Sequence, residues 1–122
     1  MNGNAQEDYS NLLREMKSWK STLKHLDNEL IFLERQLSQT DSAAVRVILA
    51  MKKRTKSLKN SLHNLGLEII SFEHLLEGSP NGSPLVPREL NAEHHTVLRK
   101  KIEEFQKSFK LHKTRVLRFT AK

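Results

Sequence analysis

The amino-acid sequence predicts an all-α protein, an elongated antiparallel bundle of three helices with coiled-coil-like heptad packing. Apolar residues recur at alternating spacings of three and four over three long segments, which is the pattern of a helix buried along one stripe. Glycine (4) and proline (3) are scarce, so the chain lacks the turn residues that a sheet protein needs. We expect residues 1–122 to form one domain.

The first helix is predicted over about residues 7–38. Its apolar stripe, here called the seam, consists of Tyr9, Leu12, Met16, Trp19, Leu23, Leu26, Leu30, Leu33 and Leu37. Short polar residues at 38–42 interrupt the pattern, and Thr40, Asp41 and Ser42 are each suited to cap the next helix. Because this connection is short, the second helix is expected to return antiparallel to the first.

The second helix is predicted over about residues 42–77 and the third over about 88–119. The second seam is Ala44, Ile48, Met51, Thr55, Leu58, Leu62, Leu65, Ile69, Phe72 and Leu76, and the third is Leu98, Ile102, Phe105, Phe109, His112, Val116 and Phe119, preceded by His95. All three prolines fall at 78–87, which predicts a loop there. Gly66 lies beside the second seam, where it either allows close packing or is simply tolerated.

Trp19 lies on the seam of the first helix, and with it the three-helix layout resembles a spectrin-type repeat. The likeness covers helix order and approximate length over most of the chain.

Sequence features typical of enzymes are missing. The chain has no cysteine, which excludes disulfides, thiol catalysis and cysteine-ligated metals. None of its six histidines lies three or four residues from another, the spacing of paired metal ligands on a helix, and no phosphate-binding loop or nucleophile motif is present. We therefore predict no enzymatic activity, no cofactor and no metal.

No apolar stretch approaches the ~18 residues of a membrane span. The polar N-terminus also lacks the layout of a signal peptide. These two features predict a cytoplasmic protein without membrane contact.

Two polar residues on the seams are predicted to meet. If the second and third helices reverse about the loop at 78–87, Thr55 faces His112. Such a pair inside an apolar seam would fix the register of the two helices, as a buried asparagine does in coiled coils.

The net charge of +7 favours attraction to polyanions. The same antiparallel reasoning places Lys20 level with Lys59 and Lys24 level with Thr55, so that three basic stretches meet at mid-length. We call this set the basic girdle, and its lysines are candidate polyanion contacts: Lys17, Lys20, Lys24, Lys52, Lys53, Lys56, Lys59, Lys107, Lys110 and Lys113. Phosphate contacts by such lysines underlie non-specific nucleic-acid binding. Lysines outside the seams are also the ordinary solvated face of a helix.

Apolar residues off the seams form a second candidate surface around the first turn. This hairpin patch consists of Ile31, Phe32, Val45, Val47 and Leu49. Exposed apolar patches of this kind mark interfaces, so the patch predicts self-association.

These surfaces lead to two functional hypotheses. The first is a non-catalytic helical interaction or scaffolding module that binds protein partners and self-associates as a homo-oligomer. The alternative is non-specific binding of nucleic acid or another polyanion through the basic girdle. The sequence does not separate the first hypothesis from a helical regulator or chaperone that serves one specific partner.

Overall fold

The computed structural model describes residues 3–40, 43–77 and 88–121, which form three α-helices. They are α1 (Gly3–Gln39), α2 (Val45–Glu77) and α3 (Arg88–Thr120). These described ranges contain no strand, and each helix packs against the other two. The predicted three-helix bundle is confirmed, while the predicted loop at 78–87 lies outside the described residues.

The connection between α1 and α2 differs from the prediction. Thr40 Oγ1 donates to the Gln36 carbonyl at 2.6 Å, so Thr40 closes the end of α1 and does not cap α2. The first turn of α2 forms at Ala44, whose carbonyl accepts from the Ile48 amide at 3.1 Å. Asp41 and Ser42, the other two predicted caps, lie outside the described residues.

The core is built from the predicted seams. Its buried apolar residues are all seam positions: Met16, Trp19, Leu23, Leu26, Leu30, Leu33, Leu37, Leu58, Leu62, Leu65, Ile69, Phe72, Leu76, Leu98, Ile102, Phe105, Phe109 and Val116. Leu12 and Met51 are only partly buried against this cluster. The hydrophobic effect along these seams is what holds the helices together, since burying each side chain contributes roughly 1.5–3 kcal/mol.

Ion pairs along the borders between the helices show the relative directions of the helices. Lys20 contacts Glu73 at 2.8 Å and Glu34 contacts Lys59 at 2.9 Å, so α1 and α2 are antiparallel. On the other two borders, Glu15 contacts Arg99, Glu29 contacts Lys113, and Glu68 contacts Lys101. The first two of these pairs make α1 and α3 parallel, which leaves α2 antiparallel to both.

The register between α1 and α2 is not the one predicted. Lys20 was expected level with Lys59, but Lys59 contacts Glu34, and Glu34 lies about 20 Å along α1 from Lys20 at 1.5 Å per residue. The connection is centred later than predicted, because α1 continues to Gln39 and α2 begins only at Val45, and this accounts for part of the difference. Each residue of α1 therefore meets a later residue of α2 than expected.

Gly66 is not required for close packing. A Cβ built at this position meets nothing within 4 Å. Since glycine in a helix costs about 1 kcal/mol relative to alanine, we expect Gly66→Ala to raise the free energy of unfolding by up to that amount, measured by urea denaturation followed by circular dichroism. A loss of stability would instead reveal a close approach that the Cβ disturbs.

Within the described ranges, no helix is both long and apolar enough to cross a membrane.

Candidate interaction surfaces

The ion pairs show which side of each helix faces which neighbour. On α2, Glu73 and Lys59 contact α1, whereas Glu68 contacts α3. Residues separated by whole heptads share a helix side. Lys52, one heptad before Lys59, is therefore on the side of α2 that faces α1, and Arg54, two heptads before Glu68, is on the side that faces α3.

Only some of the basic-girdle lysines lie at the same level of the bundle. On α2 and α3 its lysines surround the level at which Thr55 contacts His112, because Lys56 follows Thr55 and Lys113 follows His112. The three lysines of α1 belong to another level, since Lys20 contacts Glu73 near the far end of α2. The predicted meeting of three basic stretches is wrong, and two helices supply the basic level.

At that level α1 supplies acidic residues instead of lysines. Glu34 accepts from Lys59 at 2.9 Å, and Glu29 accepts from Lys113. Among the described residues the girdle lysines that make no ion pair are Lys17, Lys24, Lys52, Lys53, Lys56, Lys107 and Lys110, and all seven are exposed. Positive charge remains available on α2 and α3, because residues 43–67 and 105–121 contain no acidic residue.

The hairpin patch is exposed but does not form one continuous face. Val45 and Leu49 are 58% and 52% exposed and lie one turn apart on the side of α2 that faces α1. Ile31, which is half-buried, precedes Glu34 by one turn and borders the same side. Phe32, by contrast, follows Glu29 by one turn and leans toward α3, and Val47 lies one heptad before Arg54 on the α3 side of α2. The patch therefore lies partly along the border of α1 and α2 and partly on the sides of these helices that face α3.

Thr55 and His112 contact each other inside the seam, where both are buried. Thr55 Oγ1 donates to the Met51 carbonyl at 2.9 Å, and a hydroxyl has a single hydrogen to donate. It must therefore accept from His112 Nε2, which lies 2.7 Å away. This assigns the Nε2–H form to His112. Burial, followed by the nearby charges of Arg54 and Arg115, lowers the pKa of His112, so the ring is neutral at neutral pH.

A second polar contact fastens α1 to α3 and was not predicted from the sequence. His95 is buried, stacks on the Trp19 ring at 5.1 Å and lies 3.0 Å from a Glu15 oxygen. Arg99 donates to both oxygens of Glu15 at 3.1 Å. Burial alone would raise the pKa of Glu15, but the hydrogen bonds and charges of Arg99 and His95 lower it below its usual value. The charged carboxylate thus joins the two helices near one end of the bundle.

Arg54 and Arg115 were also missed as candidate residues. Glu68 and Lys101 form an ion pair across the border of α2 and α3. Arg54 lies two heptads before Glu68, and Arg115 lies two heptads after Lys101, so the two arginines occupy the equivalent facing positions. Both are exposed, and both act electrostatically on His112. The predicted register of Thr55 and His112 contained this signal, since it places the two arginines opposite each other.

A groove opens between α2 and α3 at the Glu68–Lys101 end. It encloses about 590 Å³ and is lined mainly by apolar side chains, among them Leu67, Phe72, Leu75, Val97 and Leu98. The rings of His94 and Phe72, which both line the groove, have centroids 5.5 Å apart. Leu67 and Val97 stand half-exposed at its rim.

Among the described residues, no three His, Asp or Glu side chains lie close enough together to hold a metal ion. Comparison with family models, curated proteins and solved structures finds no match to this chain.

Proposed function

We propose that the protein is a non-catalytic helical interaction module that binds protein partners, a second copy of itself among them, through the bundle end that carries the hairpin patch. The observation that carries this proposal is the exposure of Val45 and Leu49 on one side of the first turns of α2. These two residues lie one turn apart, with the exposed cations Arg46 and Lys53 beside them. Apolar side chains gathered in this way lose contact with water when a partner covers them.

The charge around the patch describes the partner surface. Arg46, Lys52 and Lys53 are exposed beside Val45 and Leu49. A two-fold contact between copies would place these same cations opposite one another, so salt should strengthen self-association by screening their repulsion. A different protein with acidic residues around an apolar centre would bind the same end without that repulsion.

Binding of nucleic acid or another polyanion is the second candidate. The observation that favours it is the set of lysines and arginines of α2 and α3 that make no ion pair among the described residues, in segments without any acidic residue. Phosphate contacts weaken steeply as salt rises because bound counterions are released. The two candidates therefore predict opposite effects of salt. A cytoplasmic location remains part of both proposals.

The salt dependence can be measured by light scattering after size exclusion, with nucleic acid followed by the ratio of absorbances. We expect a mass above that of one chain, 14.1 kDa, which rises with salt and carries no nucleic acid. Leu49→Glu should return the mass to that of one chain, because a charge would then be buried in the contact. Ile70→Glu is the matched control, since Ile70 is exposed at 43% on α2 but lies far from the patch.

Two results would contradict the protein-interaction proposal in different ways. A monomer that binds an oligonucleotide at low salt and releases it at high salt would favour the second candidate. Equal effects of Leu49→Glu and Ile70→Glu would show that the hairpin patch is not the contact.

A further inference from the structure

The side of the bundle between α2 and α3 combines two features that neither the core nor the ion pairs explain. At one end is the apolar groove lined by Leu67, Phe72 and Val97. About four helical turns away, at 5.4 Å per turn, Arg54 and Arg115 face each other across the same border. We propose that this side binds an amphipathic helix of a protein partner, with the apolar residues of that helix in the groove and its acidic residues between the two arginines. This proposal rests on the proposed function, because it assigns a site and a partner chemistry to the interaction module.

The shape of this surface favours a helix. Two antiparallel helices leave a straight furrow between them, and a further helix packed along such a furrow completes the arrangement of a four-helix bundle. Between the apolar groove and the arginines the facing positions are Ser61 and Ser108, whose short side chains leave the furrow open to a close approach. The span from Glu68 to Arg54 is about 20 Å at 1.5 Å per residue, which a helix of about 14 residues would cover.

The apolar contacts continue beyond the groove itself. Leu111 is 57% exposed and precedes Arg115 by one turn on α3. Val97 precedes Leu111 by two heptads, so the two side chains lie along the same edge of the furrow, with the exposed Glu104 one heptad from each. A helix that presents an apolar stripe would cover both, as helix-in-groove partners do.

The arginines determine the charge of the partner. Neither makes an ion pair among the described residues, and their facing positions set two like charges against each other. Elsewhere along the same border the facing positions hold an attractive pair, Glu68 with Lys101 at 3.0 Å. A carboxylate inserted between the arginines would accept from both, since guanidinium groups bind carboxylates with two parallel hydrogen bonds. The site therefore requires an acidic residue at the arginine end of the bound helix.

The test uses the full chain and a synthetic helix of about three heptads, with leucine at its core positions and glutamate in its last heptad. Binding is measured by fluorescence anisotropy and located by amide chemical shifts. A second peptide carries lysine in place of glutamate. We expect the acidic peptide to bind with shifts around Val97 and Leu111, and the lysine peptide to bind at least tenfold more weakly.

Charge-reversal variants provide the matched comparison. Arg54→Glu combined with Arg115→Glu should weaken binding of the acidic peptide by about tenfold or more, the factor that corresponds to 1.4 kcal/mol. Lys53→Glu combined with Lys107→Glu changes the net charge equally, at exposed positions outside the furrow, and should weaken it less than threefold. Val97→Glu tests the apolar end independently and should weaken binding comparably to the arginine variant. Circular dichroism of each variant establishes that the bundle is intact.

The results that would overturn the proposal are separable from failure of the proposed function. Equal weakening by both charge-reversal pairs would show attraction by net charge alone and overturn it. Shifts confined to Val45, Leu49 and Phe32 would also overturn it, while leaving the hairpin patch as the interaction surface. A single-stranded oligonucleotide that displaces the peptide, and whose binding is equally lost with Arg54 and Arg115, would assign the site to phosphates instead. Absence of peptide binding, with self-association intact, would overturn the furrow site alone.

Discussion

Replacing Leu30 with alanine is expected to lower the free energy of unfolding by about 2–5 kcal/mol. Leu30 is fully buried at 0% exposure, and it lies in the second half of α1, in the core that all three helices form. The substitution removes apolar contacts and leaves a cavity that the surrounding leucines fill only in part. Because domains of this size are stable by only about 5–15 kcal/mol, the loss should be visible as a large shift of the urea midpoint.

Phe32→Ala is the control for this prediction. Phe32 lies two positions further along the same helix and is 48% exposed, so its removal should cost less than about 1 kcal/mol. A decrease in the free energy of unfolding as large as that of Leu30→Ala would contradict the exposure of Phe32 in the structure. If that loss grew with protein concentration, Phe32 would be buried between copies.

Thr55→Val is expected to be more destabilising than His112→Leu, although the two residues share one hydrogen bond. Valine would leave the buried Nε2–H of His112 without an acceptor, which costs about 1–3 kcal/mol. Leucine at 112 leaves the Thr55 hydroxyl bonded to the Met51 carbonyl at 2.9 Å, so no buried polar group loses its partner and stability should change by less than about 1 kcal/mol. Urea denaturation at neutral pH measures both, and equal losses would argue against the Nε2–H assignment.

The dependence on pH supplies a second measurement of the same pair. The pKa of His112 is lowered in the folded protein, so below its ordinary value near 6.5 the unfolded chain binds more protons than the folded one. The contribution of neutral His112 to stability is therefore complete above about pH 6.5 and decreases as the pH falls from there through the folded-state pKa. His112→Leu should lose stability less steeply than the wild type over this range. An unchanged slope would mean that other groups dominate acid unfolding.

Much of the fold can be predicted from the sequence, because the heptad spacing of apolar residues indicates which residues are buried. The register of α2 on α3 also follows, since Thr55 and His112 are the polar positions that a single reversal brings together, and the structure places them 2.7 Å apart. The register of α1 on α2 does not follow. Apolar seams are nearly uniform along their length, so two helices can pack in several registers that bury the same residues. The position of the turn then determines the register, and Thr40 closes α1 where the sequence predicts a cap of α2.

The contact between α1 and α3 could not be predicted from the sequence, for a different reason. These helices are not consecutive, and no connection between them limits their relative height. The pairing of Glu15 with His95 and Arg99 depends on both other registers at once. The error in the register of α1 on α2 also affects the surface, because it assigns the lysines of α1 to the basic girdle. Arg54 and Arg115 lie on the border of α2 and α3, whose register the sequence does predict, so they could have been found.

The uneven distribution of charge on α2 and α3 gives the molecule an electric dipole along its long axis. The segments 43–67 and 105–121 are free of acid, whereas Glu68, Glu73 and Glu93 lie toward the opposite end. In the field of a negatively charged surface, the molecule would orient the end that carries the hairpin patch toward that surface before contact. Orientation during approach raises the rate of productive encounters at low ionic strength, so the association rate of a partner at this end should depend on salt more than its dissociation rate does.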